Sequence, residues 1–357
     1  MSSTTSPASG VSGEASPHVV EDCLGQVQLL SDGTVKRPPA ELVLAGDAPL
    51  PPDAPVQWKD VVYDETRNLS LRIYVPVAAA GASAKKHPVL VYFHGGGFCV
   101  GSFATPLFHA ACLSLAAELP AVVLSADYRL APEHRLPAAL DDVDALFSWL
   151  RAQAAAAADT PTDPWFAASA DFRRVFLAGD SAGANIAHHA VVRVGSGRLA
   201  AGPARVAGCV LLWPYFGGEQ RTASEAAATS PADGFLSLAL YDQMWRMALP
   251  AGATRDHQAA NPFGPDSPAL GAAELPPLLV AAGGRDMLVD RIRDYVARLE
   301  TMGKERVELV EFAGQGHAFS IFQPDTEAAA ELVRVVRRFV HGDGDGAGAA
   351  QPSARDA

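Results

Sequence analysis

The chain has 357 residues, is 49% hydrophobic and carries a formal net charge of −12. That much apolar content is enough for a large core, and one α/β domain of this length is ordinary. The acidic balance argues against nucleic acid and anionic membrane surfaces as partners, and no apolar run approaches the roughly 20 residues of a membrane span.

Residues 1–18 are rich in Ser, Ala and Gly and lack Lys and Arg, while 341–357 are rich in Gly, Asp and Ala. Neither segment has the apolar content to order itself, so flexible tails are expected on either side of one domain spanning 19–340. The N-terminal composition fits neither a secretory signal nor a transit peptide. A soluble protein of the cytoplasm, with the nucleus also open to it, is expected. Cys23, Cys99, Cys112 and Cys209 are scattered without C-x-x-C spacing, which indicates neither a zinc site nor a disulfide framework but reduced, mostly buried thiols.

In chain order, residues 26–30 and 34–37 flank Ser31-Asp32-Gly33, a hairpin-like turn signal. A Pro-rich linker over 48–55 follows. Residues 61–63 and 69–75 read as two strands of an antiparallel edge, the second alternating Leu69, Leu71, Ile73 and Val75. The apolar run 88–93 then opens into His94-Gly95-Gly96-Gly97-Phe98. Three glycines after a strand leave backbone NH groups without side-chain cover, as an anion or a developing oxyanion requires.

Residues 107–119 can form a helix and 121–125 a buried strand, leading into Asp127-Tyr128-Arg129-Leu130-Ala131-Pro132-Glu133-His134. Pro137 stands where the next helix begins, with Leu140, Val143, Leu146, Phe147 and Leu150 largely on one face. Asp141, Asp142 and Asp144 near its start read as a solvated first turn facing the helix dipole.

The stretch 174–194, RVFLAGDSAGANIAHHAVVRV, changes character in its middle. Residues 175–178 suit a strand buried on both faces, and the Ala-rich run after Ser181 suits a helix. Between them Gly179-Asp180-Ser181-Ala182-Gly183 matches G-x-S-x-G, a strained turn that exposes its serine and needs small residues on either side so that strand and helix can approach. The helix N-terminus would aim unpaired NH groups at an oxyanion formed when Ser181 attacks a carbonyl.

Beyond it, 206–212 is a further buried strand. Residues 213–268 form a less regular insertion with helical spacing over 235–249 (Leu238, Tyr241, Trp245, Leu249) that suits a cap over a pocket or ordinary core packing. A strand over 277–282 ends in Gly283-Gly284-Arg285-Asp286, and a helix follows with Ile292, Tyr295, Val296 and Leu299 on one face. The last strand, 307–312, ends in Gly314-Gln315-Gly316-His317, and a closing helix covers 326–340. Alternating strand and helix from residue 88 onward predicts an α/β fold, a mostly parallel sheet with right-handed crossovers.

Ser181, Asp286 and His317 each follow the end of a predicted strand, so all three gather at one edge of the sheet. Serine is a weak nucleophile at neutral pH and needs a base that titrates near neutrality and a carboxylate to orient that base. His317 and Asp286 can supply these. His109, His188 and His189 lie on helical stretches and read as surface or core residues.

The motifs HGGGF (94–98), DYRLAPEH (127–134), GDSAGANIAHH (179–189), GGRDMLVD (283–290) and GHAF (316–319) make the sequence similar to the hormone-sensitive-lipase group of α/β hydrolases, and within it to the plant carboxylesterases, over roughly 19–340. The resemblance implies an α/β-hydrolase fold with helices on both sheet faces and a cap from the N-terminal segment and residues 213–268. It implies a serine carboxylesterase acting through an acyl-enzyme on small or medium esters or lactones, with no metal or organic cofactor. Ser181 would be the nucleophile, His317 the general base and then acid, and Asp286 its orienting carboxylate. Gly96, Gly97 and Ala182 would donate the oxyanion-hole NH groups, and His94 would support the loop. Members of the wider group carry a further glycine where Ala184 stands, a small change. The same group holds gibberellin receptors, which resemble esterases with the triad histidine replaced; a non-catalytic hormone receptor is therefore the alternative, against which His317 and the intact HGGG weigh. An amidase or peptidase on the same fold uses the same parts.

Overall fold

Nine-residue β4 (Val56–Asp64) and β5 (Leu69–Pro76) open the main sheet of a computed structural model that describes residues 16–38, 55–77, 86–155, 163–228 and 235–342. Before them β1 (Val19–Cys23), β2 (Val27–Leu30) and β3 (Val35–Lys36) form a separate antiparallel sheet, with the expected turn at 31–33 between the last two. The main sheet continues with β6 (His87–Phe93), β7 (Val122–Ala126), β8 (Ala170–Asp180), β9 (Val206–Leu212), β10 (Leu278–Gly283) and β11 (Val307–Phe312), in the order β11-β10-β9-β8-β6-β7-β5-β4. Neighbours from β7 across to β11 are parallel, and β5 alone runs against both of its neighbours.

The burial patterns explain the sequence runs. β7 and β10 are buried at every position, because helices cover both faces of a parallel sheet and each strand must be apolar on both sides. The edge strands β4 and β11 are only partly buried. β4 begins five residues before the predicted strand, since its pairing with β5 runs from Val56 opposite Pro76 to Asp64 opposite Leu69; a cross-strand partner extends it where side-chain alternation gives no signal.

The helices are α1 (Pro106–Glu118), α2 (Ala138–Ala155), α3 (Pro164–Ser169), α4 (Ala182–Gly195), α5 (Ala223–Ala227), α6 (Leu238–Ala248), α7 (Val289–Thr301), α8 (Phe319–Phe322) and α9 (Glu327–His341). α6 begins at the Ser237 cap, whose hydroxyl accepts from Leu240 N, and buries Tyr241, Met244 and Trp245. All four cysteines are free and buried. Both predicted flexible tails, apart from 16–18 and 341–342, and the 48–54 part of the linker lie outside the described residues.

One expectation is corrected. Asp141 and Asp144 are exposed, but Asp142 is 1% exposed and accepts from the Arg129 backbone NH and from its Nε. The 127–134 loop folds over the first turn of α2, and a charge-assisted pair offsets the cost of burying this carboxylate. His188 is core, hydrogen-bonded to Tyr295 Oη at 2.9 Å, and burial holds its ring well below the ordinary histidine range. Among the described residues no helix is long and apolar enough to cross a membrane.

Candidate active site

β8 delivers Ser181 to the carboxyl edge of the sheet, where the chain turns directly into α4 with Ser181 at φ 53° and ψ −116°. A non-glycine residue holds positive φ only where its surroundings fix it. Here Ser181 N donates to Leu212 O at the end of β9, and Ser181 O accepts from Tyr215 N. The two motif glycines are sterically required. A Cβ on Gly179 would stand 2.4 Å from Gly183 C and O, and one on Gly183 would stand 1.9 Å from Phe93 O.

The loops after β10 and β11 bring in the other two predicted residues. Gly284 N donates to Phe312 O and Arg285 N to Gln315 O, which ties the loops together. His317 Nδ1 lies 2.7 Å from Asp286 Oδ2 and His317 Nε2 lies 2.9 Å from Ser181 Oγ. Asp286 Oδ1 accepts from Leu288 N, so both carboxylate oxygens are engaged. Ser181, Asp286 and His317 are all buried, Ser181 at 7% exposure. Low exposure keeps the dielectric low and strengthens each of these contacts.

β6 lies beside β8, with Phe93 opposite Gly179, and places the glycine loop against the turn. Gly96 and Gly97 adopt φ of 112° and 58°. A Cβ on Gly96 would lie 2.0 Å from Val100 O. Among the described residues none accepts a hydrogen bond from the NH groups of Gly96, Gly97 or Ala182, and the last of these opens α4, where the dipole is positive.

His94 is fully buried, stacks on Tyr128 with ring centroids 4.4 Å apart, and donates from Nδ1 to Gly95 O at 2.7 Å. Burial holds it down at about 4, so it is neutral at physiological pH. Its Nε2 lies 3.7 Å from Asp127, whose carboxyl is pushed up to about 7 by burial and accepts from Phe103 N. The Nδ1 hydrogen bond and the stacking tie its ring to Gly95 and Tyr128.

Asp180 was not singled out from sequence. Its Oδ1 accepts from Gly95 N at 2.9 Å and from Tyr92 Oη at 2.6 Å, joining the Ser181 turn to the glycine loop. Burial pushes it up to about 6, against the lowering effect of those two donors. Asn185 is a second such residue: its Nδ2 donates to Tyr215 O and Ala259 O, fixing the loop that holds Ser181 O. Both lie in the GDSAGANIAHH stretch beside Ser181, which does not reveal the distant backbone atoms they meet. Among the described residues no cluster of His, Cys, Asp and Glu is placed to hold a metal ion.

A family model described as the alpha/beta hydrolase fold matches residues 90–321, and a carboxylesterase-family model matches residues 46–132. The chain belongs to the α/β-hydrolase fold family. Within that class it is 35% identical to probable carboxylesterase 6 of Arabidopsis thaliana, over 90% of this chain and 92% of that protein. It is 34% identical to the 2-hydroxyisoflavanone dehydratase of Glycyrrhiza echinata, over 93% of this chain and 99% of that protein. Among solved structures, an esterase from Pyrobaculum calidifontis superposes with a TM-score of 0.66 at 28% identity, covering 80% of this chain and 84% of the other.

Proposed function

We infer that this protein is a carboxylesterase of the serine-hydrolase type, working through Ser181, His317 and Asp286. The observation that carries the reading is the unbroken hydrogen-bonded chain from Ser181 Oγ through His317 to Asp286 Oδ2, at 2.9 and 2.7 Å. The relatives named carboxylesterase and the esterase neighbour support the reaction class.

In this mechanism Ser181 Oγ attacks the ester carbonyl while its proton passes to His317 Nε2. Asp286 accepts from Nδ1–H, fixing the tautomer and stabilising the imidazolium that forms. The carbonyl oxygen becomes an oxyanion between the NH groups of Gly96, Gly97 and Ala182, which are worth most where charge develops. Collapse expels the alcohol, which takes the proton from His317, and leaves an acyl-Ser181. Water, deprotonated by the same histidine, then attacks the acyl carbonyl and releases the acid. Small or medium esters or lactones are the substrates proposed, with β1 and α6 as cap elements that select among them.

The hormone-receptor alternative finds no support: the relatives and the neighbour above are named as enzymes, and His317 stands in contact with Ser181 Oγ. The test is rapid-mixing hydrolysis of a short-chain nitrophenyl ester by wild type and Ser181→Ala. A stoichiometric burst in the wild type that disappears in the variant is expected. A folded wild type without turnover, or a burst that survives Ser181→Ala, would refute the assignment.

A further inference from the structure

α6 touches both halves of the site it covers. Met244 is 2% exposed, and a Cβ on Gly97 would stand 2.1 Å from its Sδ and 2.9 Å from its Cγ, so the Met244 side chain fills the space that any side chain at Gly97 would need. Gly97 and the next residue, Phe98, both have left-handed φ, 58° and 64°. A phenylalanine takes that conformation only under constraint. The constraint comes from the same helix: the buried Phe98 ring packs against Trp245 at 5.7 Å, and Cys99 Sγ contacts Met244 O.

On its other side α6 holds the nucleophile turn. Tyr215 stacks on Trp245 at 4.6 Å, donates its hydroxyl to Tyr241 O, and gives its backbone NH to Ser181 O. The helix is itself anchored by two other segments. Arg135 Nη1 donates to Arg246 O and Leu249 O, Leu136 N donates to Ala248 O, and Glu21 of β1 pairs with Arg246 and Gln243.

We propose that Met244 is a positioning residue for the oxyanion site: its side chain presses Gly97 into the left-handed region and so fixes the loop NH groups where charge develops. The cap helix then sets transition-state stabilisation as well as substrate choice. This rests on the ester-hydrolase reading above and deepens it. Methionine suits the task because an unbranched, polarisable side chain fills an irregular gap against a bare backbone. Truncation to alanine removes the Sδ and Cγ contacts and leaves only Cβ, which lets Gly97 and Phe98 relax, whereas leucine keeps nearly the same volume.

Losing one oxyanion donor lowers kcat by about 10²–10³, and a donor that is loosened rather than lost forfeits part of that. With rates normalised to sites titrated by an activated phosphonate, Met244→Ala should lose roughly 10- to 100-fold in kcat with KM within about threefold. Its affinity for a trifluoromethyl ketone, which forms a tetrahedral adduct at serine, should fall by the same factor as kcat/KM, and Met244→Leu should restore kcat to within about threefold. If Met244→Ala does not fold, Met244→Val, which keeps γ carbons but withdraws Sδ, the atom that lies nearest Gly97, is read in the same way. A kcat within twofold of wild type, or a loss confined to KM with unchanged ketone affinity, would overturn the proposal alone. A wild type that neither turns over ester nor reacts with the phosphonate would overturn the ester-hydrolase reading, and this proposal with it.

Discussion

Gly183→Ala should separate the two halves of the active site by a calculable distance. The added Cβ would stand 1.9 Å from Phe93 O, 2.5 Å from Phe93 C and 2.7 Å from His94 O. These are backbone atoms of the strand that leads into the glycine loop, so no side chain can rotate away. Cβ atoms do not approach closer than 3.0 Å, which leaves about 1 Å to be found by moving α4 away from the end of β6. A misplacement of that size in a catalytic array costs about 10²-fold in rate, or roughly 2.7 kcal/mol in the barrier. Overpacking itself should lower stability by about 1–3 kcal/mol. The assay is steady-state hydrolysis of a short-chain nitrophenyl ester at a temperature well below the unfolding midpoint, paired with urea unfolding. Ala184→Gly is the control: it exchanges a buried helical alanine for glycine at about 1 kcal/mol without adding a contact, so kcat should stay near wild type. A folded Gly183→Ala with kcat within threefold of wild type would show that the elbow and the loop are not held in register by this contact.

Two other outcomes follow from buried titratable groups. Folding raises the Asp180 carboxyl from 3.8 to about 6, so its stability contribution is fully present below about pH 4 and is lost as pH rises through about 6. That shift amounts to about 3 kcal/mol. Asp180→Asn, which removes the titration, should flatten the dependence of the urea midpoint on pH across this window, and parallel curves for the two proteins would contradict the assignment. His94 is held near 4 by burial and is neutral throughout the working range. His94→Ala should therefore lower kcat about tenfold, equivalent to about 1.4 kcal/mol of lost loop support, without shifting the acid limb of the pH–rate profile. A displaced limb would place His94 in proton transfer instead.

The sequence by itself determined the parallel core of the sheet and the order in which the site residues arrive. Strands buried on both faces must be apolar throughout, so residues 88–93, 206–212 and 277–282 stand out as runs. The elbow was legible because its G-x-S-x-G spacing stands between a strand run and a helix run and Gly179 answers a local steric demand from Gly183, and Ser181, Asp286 and His317 because each follows the end of a predicted strand. What only the tertiary structure decided are contacts between segments far apart in the chain. Asp142 looks like any first-turn carboxylate until the loop carrying Arg129 closes over it. Asp180 reads as a motif filler until β6 brings Gly95 within 2.9 Å. Met244 is one more apolar residue on α6 until that helix rests on Gly97. Local periodicity reports which face of an element is covered. It carries no information about which distant backbone atom a side chain will meet, because that is fixed only when the layers pack.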